Sequence, residues 1–275
     1  RHAIGLAASH ACGLVANFGT MAKPFHAGLA AAHAIDAVNL AEAGMTAAPD
    51  VLEHRAGLLA ALSPSGQADT ASPAASLGRK LRIRELGLSI KKYPMCFATH
   101  RIIDAALDLS AAHDLQPAQV RAVRATIGPA QASMLRNHRP QSGLEAKFSL
   151  QFAVAAAIVA RRIGLAELDN EVVRQPAIQA LMEKLSIEVA HTSHPAEPSL
   201  AASDRLVIDT TDGRRLDSGE VSDARGTPRL PLAAGELRAK FMDCARGVTH
   251  IDADALFDAL QNLHEVADVS TLGKR

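Results

Sequence analysis

Tryptophan is absent from this 275-residue chain, and aromatic residues make up only 3% of it. A core with so few rings must be aliphatic and alanine-rich, which favours close helix–helix packing over a β-sandwich. Cysteine is scarce. Cys12, Cys96 and Cys244 are odd in number and widely spaced, which excludes a disulfide framework and a CxxC pair and fits a reducing cytoplasmic setting. There is no excess of either charge, with Lys+Arg and Asp+Glu at 29 each. The concentrated positive charge that nucleic acid requires is therefore missing, although local basic pockets remain open. No run is long and apolar enough to span a bilayer, and no charged-then-apolar leader stands before a small-residue cleavage site. HExxH, GxSxG, the P-loop and GxGxxG are all missing, which removes the common zinc-hydrolase, serine-hydrolase, nucleotide and dinucleotide readings. His191-Thr192-Ser193-His194 has only a superficial likeness to a metal-ligand pair, since no carboxylate or cysteine at metal-like spacing accompanies it.

What is present is hydrophobic residue at 48%, enough for a sizeable core. Residues 1–64 read as helical, with Pro24 suited to a first helical position and Gly44 to a C-terminal stop. Residues 63–79 are rich in Ser, Pro, Gly and Ala and read as a linker. Leu81, Ile83, Leu86, Leu88 and Ile90 approximate an alternation and predict one or two strands. A helix is expected over 99–113 with Thr99 as its N-cap, a strand over Val120–Ile127, a long helix over 146–163 and another over 176–185. Strands follow at 187–190 and 206–208, with Thr211-Asp212-Gly213-Arg214 as a hairpin turn. Helical periodicity returns over 234–245 and 252–263. The expected fold class is helix-rich α+β.

Gly19-Thr20-Met21-Ala22-Lys23-Pro24-Phe25-His26-Ala27-Gly28 places a lysine and a histidine three residues apart at a helix start. A lysine there is electrostatically misplaced, because the exposed N–H groups already carry partial positive charge; such a site attracts carboxylates or phosphates. Thr20 and Lys23 are candidate binding residues, and His26 a candidate acid or base. A surface lysine and a packed histidine are the plainer alternative. Lys91-Lys92-Tyr93-Pro94 and Ala98-Thr99-His100 form a second lysine–histidine group at a second helix start. If the double lysine is extended, Lys91 and Lys92 point to opposite faces and at most one faces a site. Cys96 between them reads as a small buried thiol, and Lys147 and Ser149 as packing and capping residues.

These blocks, with Asp104-Ala105-Ala106, Ala146-Lys147-Phe148-Ser149-Leu150, Pro231-Leu232, Glu236-Leu237 and Lys240-Phe241, resemble the MmgE/PrpD family in order across nearly the whole chain. That family includes 2-methylcitrate dehydratases, cis-aconitate decarboxylases and iminodisuccinate epimerases. The resemblance implies a cofactor-free, metal-free lyase or isomerase acting on a small polycarboxylate. The generic form is 2-methylcitrate dehydratase-like; epimerase and decarboxylase chemistry are the alternatives. It implies catalytic roles for Lys23, His26, Lys91 and His100, binding roles for Thr20, Lys23, Lys91 and Thr99, and a preference for Lys91 over Lys92. It further implies a homodimer with no nucleic-acid or membrane partner. In domain terms it implies that residues 1–66 and 230–275 belong to one helical domain, with 67–80 as linker and 81–229 as an inserted α/β lid. Relatives have a helical region before the point matching Arg1, which supplies further acid–base residues. The expectation is therefore an N-terminally incomplete version of the fold. A non-catalytic carboxylate-binding or scaffold remnant is the competing reading.

Overall fold

The computed structural model describes residues 1–17, 19–63, 78–79, 81–190, 192–193 and 200–273. Most of the expected linker, together with His191 and His194, lies outside the described residues. Backbone contacts divide the chain into two units, Arg1–Leu86 and Gly87–Arg275. The expectation that residues 230–275 return to residues 1–66 concerns both units and is carried forward as an expectation. Helices of seven residues or more are numbered.

In the first unit, α1 (His2–Ser9) packs on α2 (Ala22–Glu42). Gly5 permits the close approach of the 47–48 segment, since a Cβ there would lie 2.6 Å from the Ala47 side chain. His2 fastens the same segment through Nδ1, which lies 2.9 Å from the Ala47 carbonyl and 3.1 Å from its amide nitrogen. α2 ends where the sequence says it should. Gly44 adopts φ +93°, and bonds from its N–H to Ala41 (3.1 Å) and from Met45 N–H to Leu40 (2.9 Å) form the paired closure of a Schellman motif. Pro24 is the third rather than the first residue of α2. The first turn tolerates it there for the same reason, because its missing N–H has no partner within the helix. Leu6 and Ala37 are the buried apolar side chains of this unit among the described residues.

The second unit is built on a four-stranded sheet ordered β2 (Leu185–Val189), β1 (Val120–Ile127), β3 (Arg205–Thr210), β4 (Arg215–Asp217). β1 pairs with β2 in parallel and with β3 antiparallel, and β3 with β4 antiparallel. Val123, Ala125 and Ile127 alternate onto the buried face, and the register shifts between Val120 and Ala122. The Asp212-Gly213 turn joins β3 to β4 with Gly213 at φ +85°. α3 (His100–Ala112) and α5 (Pro176–Met182) both pack on α4 (Leu150–Ala160). Every residue of α4 from Leu150 to Ile158 is buried. A helix apolar on all sides belongs inside a core, and its alanines let α3 and α5 approach closely. α6 (Ala234–Cys244) and α7 (Ala253–Gln261) follow, joined by the T-shaped Phe241–Phe257 pair at 5.3 Å.

Two further local expectations are corrected. Residues 81–90 form no strand; Arg82–Leu86 is a short helix. Alternation alone does not make a strand when no neighbour takes its N–H and C=O groups. Bonds close locally, Arg84 N–H to Leu81 at 2.9 Å, and the Ile90 N–H reaches across the unit to the Gly226 carbonyl at 2.8 Å. Gly226 is required at that contact, because it adopts φ +95° and any Cβ would lie 2.0 Å from the Ile90 carbonyl oxygen. The long helix expected over 146–163 is two pieces, Gly143–Ala146 and α4. Ser149 breaks the run with extended backbone and recaps it, accepting a bond from Phe152 N–H at 3.1 Å. Arg161 then ends α4 in the left-handed region at φ +57°.

Candidate functional site

The sequence-expected site residues fall into two groups, one in each unit. Thr20, Lys23 and His26 lie together at the start of α2. The Thr20 hydroxyl accepts a weak bond from Ala22 N–H (3.3 Å) and donates to the Asn17 carbonyl (2.8 Å). Lys23 is exposed, and His26 is half-buried with its imidazole against Gly13. The second group, Lys91, Thr99 and His100, lies in the second unit, and there burial creates an unusual titratable group.

His100 is the first residue of α3 and is fully buried. Its ring meets Tyr93 edge-on at 5.2 Å and Phe97 at a tilt at 5.1 Å. Neither ring nitrogen has a hydrogen-bond partner of acceptable geometry. Burial pushes its pKa down to about 4; the Lys91 ammonium lowers it further and Lys240 adds to this, while the backbone of Met95 and Tyr93 pulls the other way. The imidazole is thus neutral at physiological pH, in a place where its protonated form would face the charges of two lysines.

Tyr93 is the wall behind this ring. Its hydroxyl donates to Asp104 Oδ1 at 2.6 Å. Asp104 also accepts the Arg225 N–H (2.8 Å) and its guanidinium (3.1 Å), and the other arm of Arg225 grips Asp108 at 2.8 and 2.9 Å. Burial, then Asp104, raises the Tyr93 pKa well beyond the ordinary phenol range, so it stays protonated as a fixed donor. Thr99 occupies the N-cap position of α3 but does not cap with its side chain. A preceding 3₁₀ turn, Phe97–Thr99, already sets helical backbone, and its hydroxyl donates instead to the Cys96 carbonyl at 2.8 Å. Cys96 is half-buried, and its N–H bonds the Lys147 carbonyl at 2.9 Å.

The two lysines of the double pair differ. Lys92 is half-buried, ion-paired with Glu236 of α6, and lies over the Tyr93 ring at 5.6 Å. Lys91 is exposed and has no ion-pair partner among the described residues. On the α6 side, Lys92, Tyr93, Pro94, Glu236, Lys240 and Asp243 are among the residues lining a cleft of about 320 Å³. Sequence reasoning quoted Lys240 as part of a pattern but gave it no role, and it missed the Tyr93–Asp104–Arg225 network. An Asp104 placed one helical turn beyond His100, on the same face, was the available signal for that network. No group of His, Cys, Asp and Glu able to hold a metal occurs among the described residues. No helix among them is long and apolar enough to cross a membrane.

Known proteins resemble the chain at the level of sequence. Residues 1–71 match the MmgE/PrpD N-terminal domain, and residues 93–265 match the MmgE/PrpD C-terminal domain. The chain is similar to the mouse (Mus musculus) cis-aconitate decarboxylase, 25% identical over 279 residues that cover 99% of this chain and 56% of that protein. It is also similar to the human (Homo sapiens) cis-aconitate decarboxylase, 27% identical over 281 residues with the same coverage of 99% and 56%. The chain therefore spans about half the length of the curated relatives it matches. With both domain models matched in order and the second alone covering more than half the chain, this protein belongs to the MmgE/PrpD family.

Proposed function

We propose that the chain carries out acid–base lyase or isomerase chemistry on a small polycarboxylate, with cis-aconitate as the first substrate to test and 2-methylcitrate as the second. The observation that carries this reading is the buried, neutral, unpartnered imidazole of His100 beside two lysines. The similarity to two cis-aconitate decarboxylases sets the order of substrates.

The chemistry follows from charge. When a proton leaves a carbon beside a carboxylate, the electron pair spreads onto the carboxylate oxygens. An ammonium such as Lys91, exposed in the free chain, stabilises that charge once bound substrate displaces the water around it. Neutral His100 takes the proton, which an imidazolium could not do. The imidazolium so formed returns a proton to the leaving hydroxyl in a dehydration, or leaves it to be replaced from the other face in an epimerisation. In a decarboxylation the carbon–carbon bond breaks instead, carbon dioxide departs, and a proton arrives at the carbon that keeps the electron pair. The rings of Tyr93 and Phe97 cover His100, so the reading requires them to part when substrate binds. Lys23 and His26 carry the family signature in the first unit, and we assign them carboxylate binding and proton handling on that signature.

The test is NMR in heavy water on cis-aconitate, 2-methylcitrate, citrate and iminodisuccinate, which sees exchange, dehydration, epimerisation and decarboxylation in one assay. Turnover on at least one substrate is expected. Lys91→Gln or His100→Asn should slow it roughly 100- to 1,000-fold, the usual cost of losing one preorganised charge-stabilising group. A folded chain that exchanges no proton on any of the four would contradict the reading.

A further inference from the structure

Glu236 and Lys240 stand four residues apart on α6, a spacing at which a glutamate and a lysine ordinarily pair on the helix surface. They do not. Glu236 turns one oxygen to Lys92, and its other oxygen accepts a bond from the Ala233 N–H at 2.9 Å at the start of α6. Lys92 lowers the Glu236 pKa, which keeps the carboxylate charged and committed there.

The remaining charges of the same cleft are also committed. Arg161 donates to the Ser110 and Leu115 carbonyls at 2.5 and 2.6 Å and reaches Asp114 at 3.1 Å. Arg162 pairs with Glu167 at 2.8 Å. Asp243 pairs with Arg246 at 2.9 Å and accepts the Leu165 N–H at 2.8 Å. Lys240 is left as the charged side chain lining the cleft that has no hydrogen-bond or ion-pair partner among the described residues. It is half-buried. A partly desolvated ammonium without a counterion is unfavourable unless something supplies the charge.

Tyr93 connects this cleft to the histidine. It lines the cleft beside Lys240, and its ring edge touches His100. The geometry points to Lys240 as an anion-holding residue that binds a carboxylate of the substrate in the cleft between α6 and residues 161–165, while Lys91 holds another carboxylate nearer His100. This rests on the reading of the site as a polycarboxylate site and adds to it a second, separate anchor. A substrate bearing at least two carboxylates is what such a pair selects, and a monocarboxylate fills one anchor only.

Tricarballylate, a saturated tricarboxylate with no double bond and no hydroxyl, is the probe. Calorimetric titration of the 275-residue chain with it is compared with Lys240→Gln, Lys240→Arg and Lys91→Gln. Lys240→Gln is expected to weaken binding about tenfold, the worth of one charge-assisted bond, and Lys240→Arg to keep most of the affinity. A second readout needs neither ligand nor turnover. The His100 imidazole followed by NMR should titrate at higher pH in Lys240→Gln than in the wild type, and higher still in Lys91→Gln. Wild-type affinity in Lys240→Gln together with a loss in Lys91→Gln overturns the role of Lys240 and leaves the site reading standing. Failure of the wild type to bind tricarballylate overturns both.

Discussion

The two units handle apolar surface in opposite ways. In residues 87–275 the sheet, α3, α4 and α5 enclose Phe152, Ile102, Ile103, Ile158, Leu206 and Ile208 with almost no exposure. In residues 1–86 the longest helix of the chain, α2, buries only Ala37, while Phe25 is 60% and Ile35 63% exposed. Both regions have the composition of a core, so the difference lies in closure. The second unit has a sheet with helices packed against it, and each layer covers the other. The first has helices without a second layer among the described residues. The functional consequence follows directly. Taking an imidazole out of water needs a closed core, and the second unit supplies one around His100. The lysine–histidine pair of the first unit sits on a wet helix start, where neighbours and solvent set its behaviour.

Several variants would sharpen or break this contrast. The largest effect is expected from Phe152→Ala, which empties the centre of α4 and should cost about 3–5 kcal/mol in urea unfolding. The matching change in the first unit, Phe25→Ala, should stay within about 0.5 kcal/mol. Equal losses would mean that α2 is covered in solution and would end the comparison as drawn.

Next in size are two buried titrations of opposite sign within the second unit. His100 titrates near pH 4 when folded against 6.5 when not. Its contribution is present above about pH 6.5 and is lost as pH falls towards 4. Asp204 is buried beside Arg101 at 3.6 Å and takes bonds from Gln131 at 2.9 and 3.2 Å. Burial nevertheless raises its pKa to about 6 from 3.8, with Arg101 opposing. Its contribution is present below about pH 4 and is lost as pH rises towards 6. Each amounts to about 3 kcal/mol across its window, so the two largely cancel in the wild type. Asp204→Asn should therefore lose stability more steeply than the wild type between pH 6.5 and 4, and His100→Asn less steeply. Parallel stability–pH curves for all three proteins would show that neither group titrates as the structure implies.

Much of this was legible in the sequence, and what was not has definite causes. β1 begins and ends where the sequence placed it; Val123, Ala125 and Ile127 alternate onto the buried face, while Val120, out of step with them by one residue, is buried through the register shift before Ala122. The Asp212-Gly213 turn and the Gly44 stop were readable because each needs positive φ, which glycine supplies without steric cost. Residues 81–90 misled because alternation carries no information about whether a partner strand exists. The helix over 146–163 misled because Ser149 recaps in the middle of an otherwise helical run. Within the site, the histidine at the start of α3 was visible from its motif. The freedom of Lys240 was not, since sequence spacing pairs it with Glu236. Only the fold brings Lys92 to claim that carboxylate.

The central claim is that His100 is kept neutral by burial and by two lysines that are there to receive carboxylates. The most direct test follows the His100 imidazole of the wild-type chain by NMR across pH, with and without saturating tricarballylate. The account predicts a midpoint near pH 4 that moves upward when the bound carboxylates offset Lys91 and Lys240. A midpoint near 6.5 that the ligand does not move would contradict it.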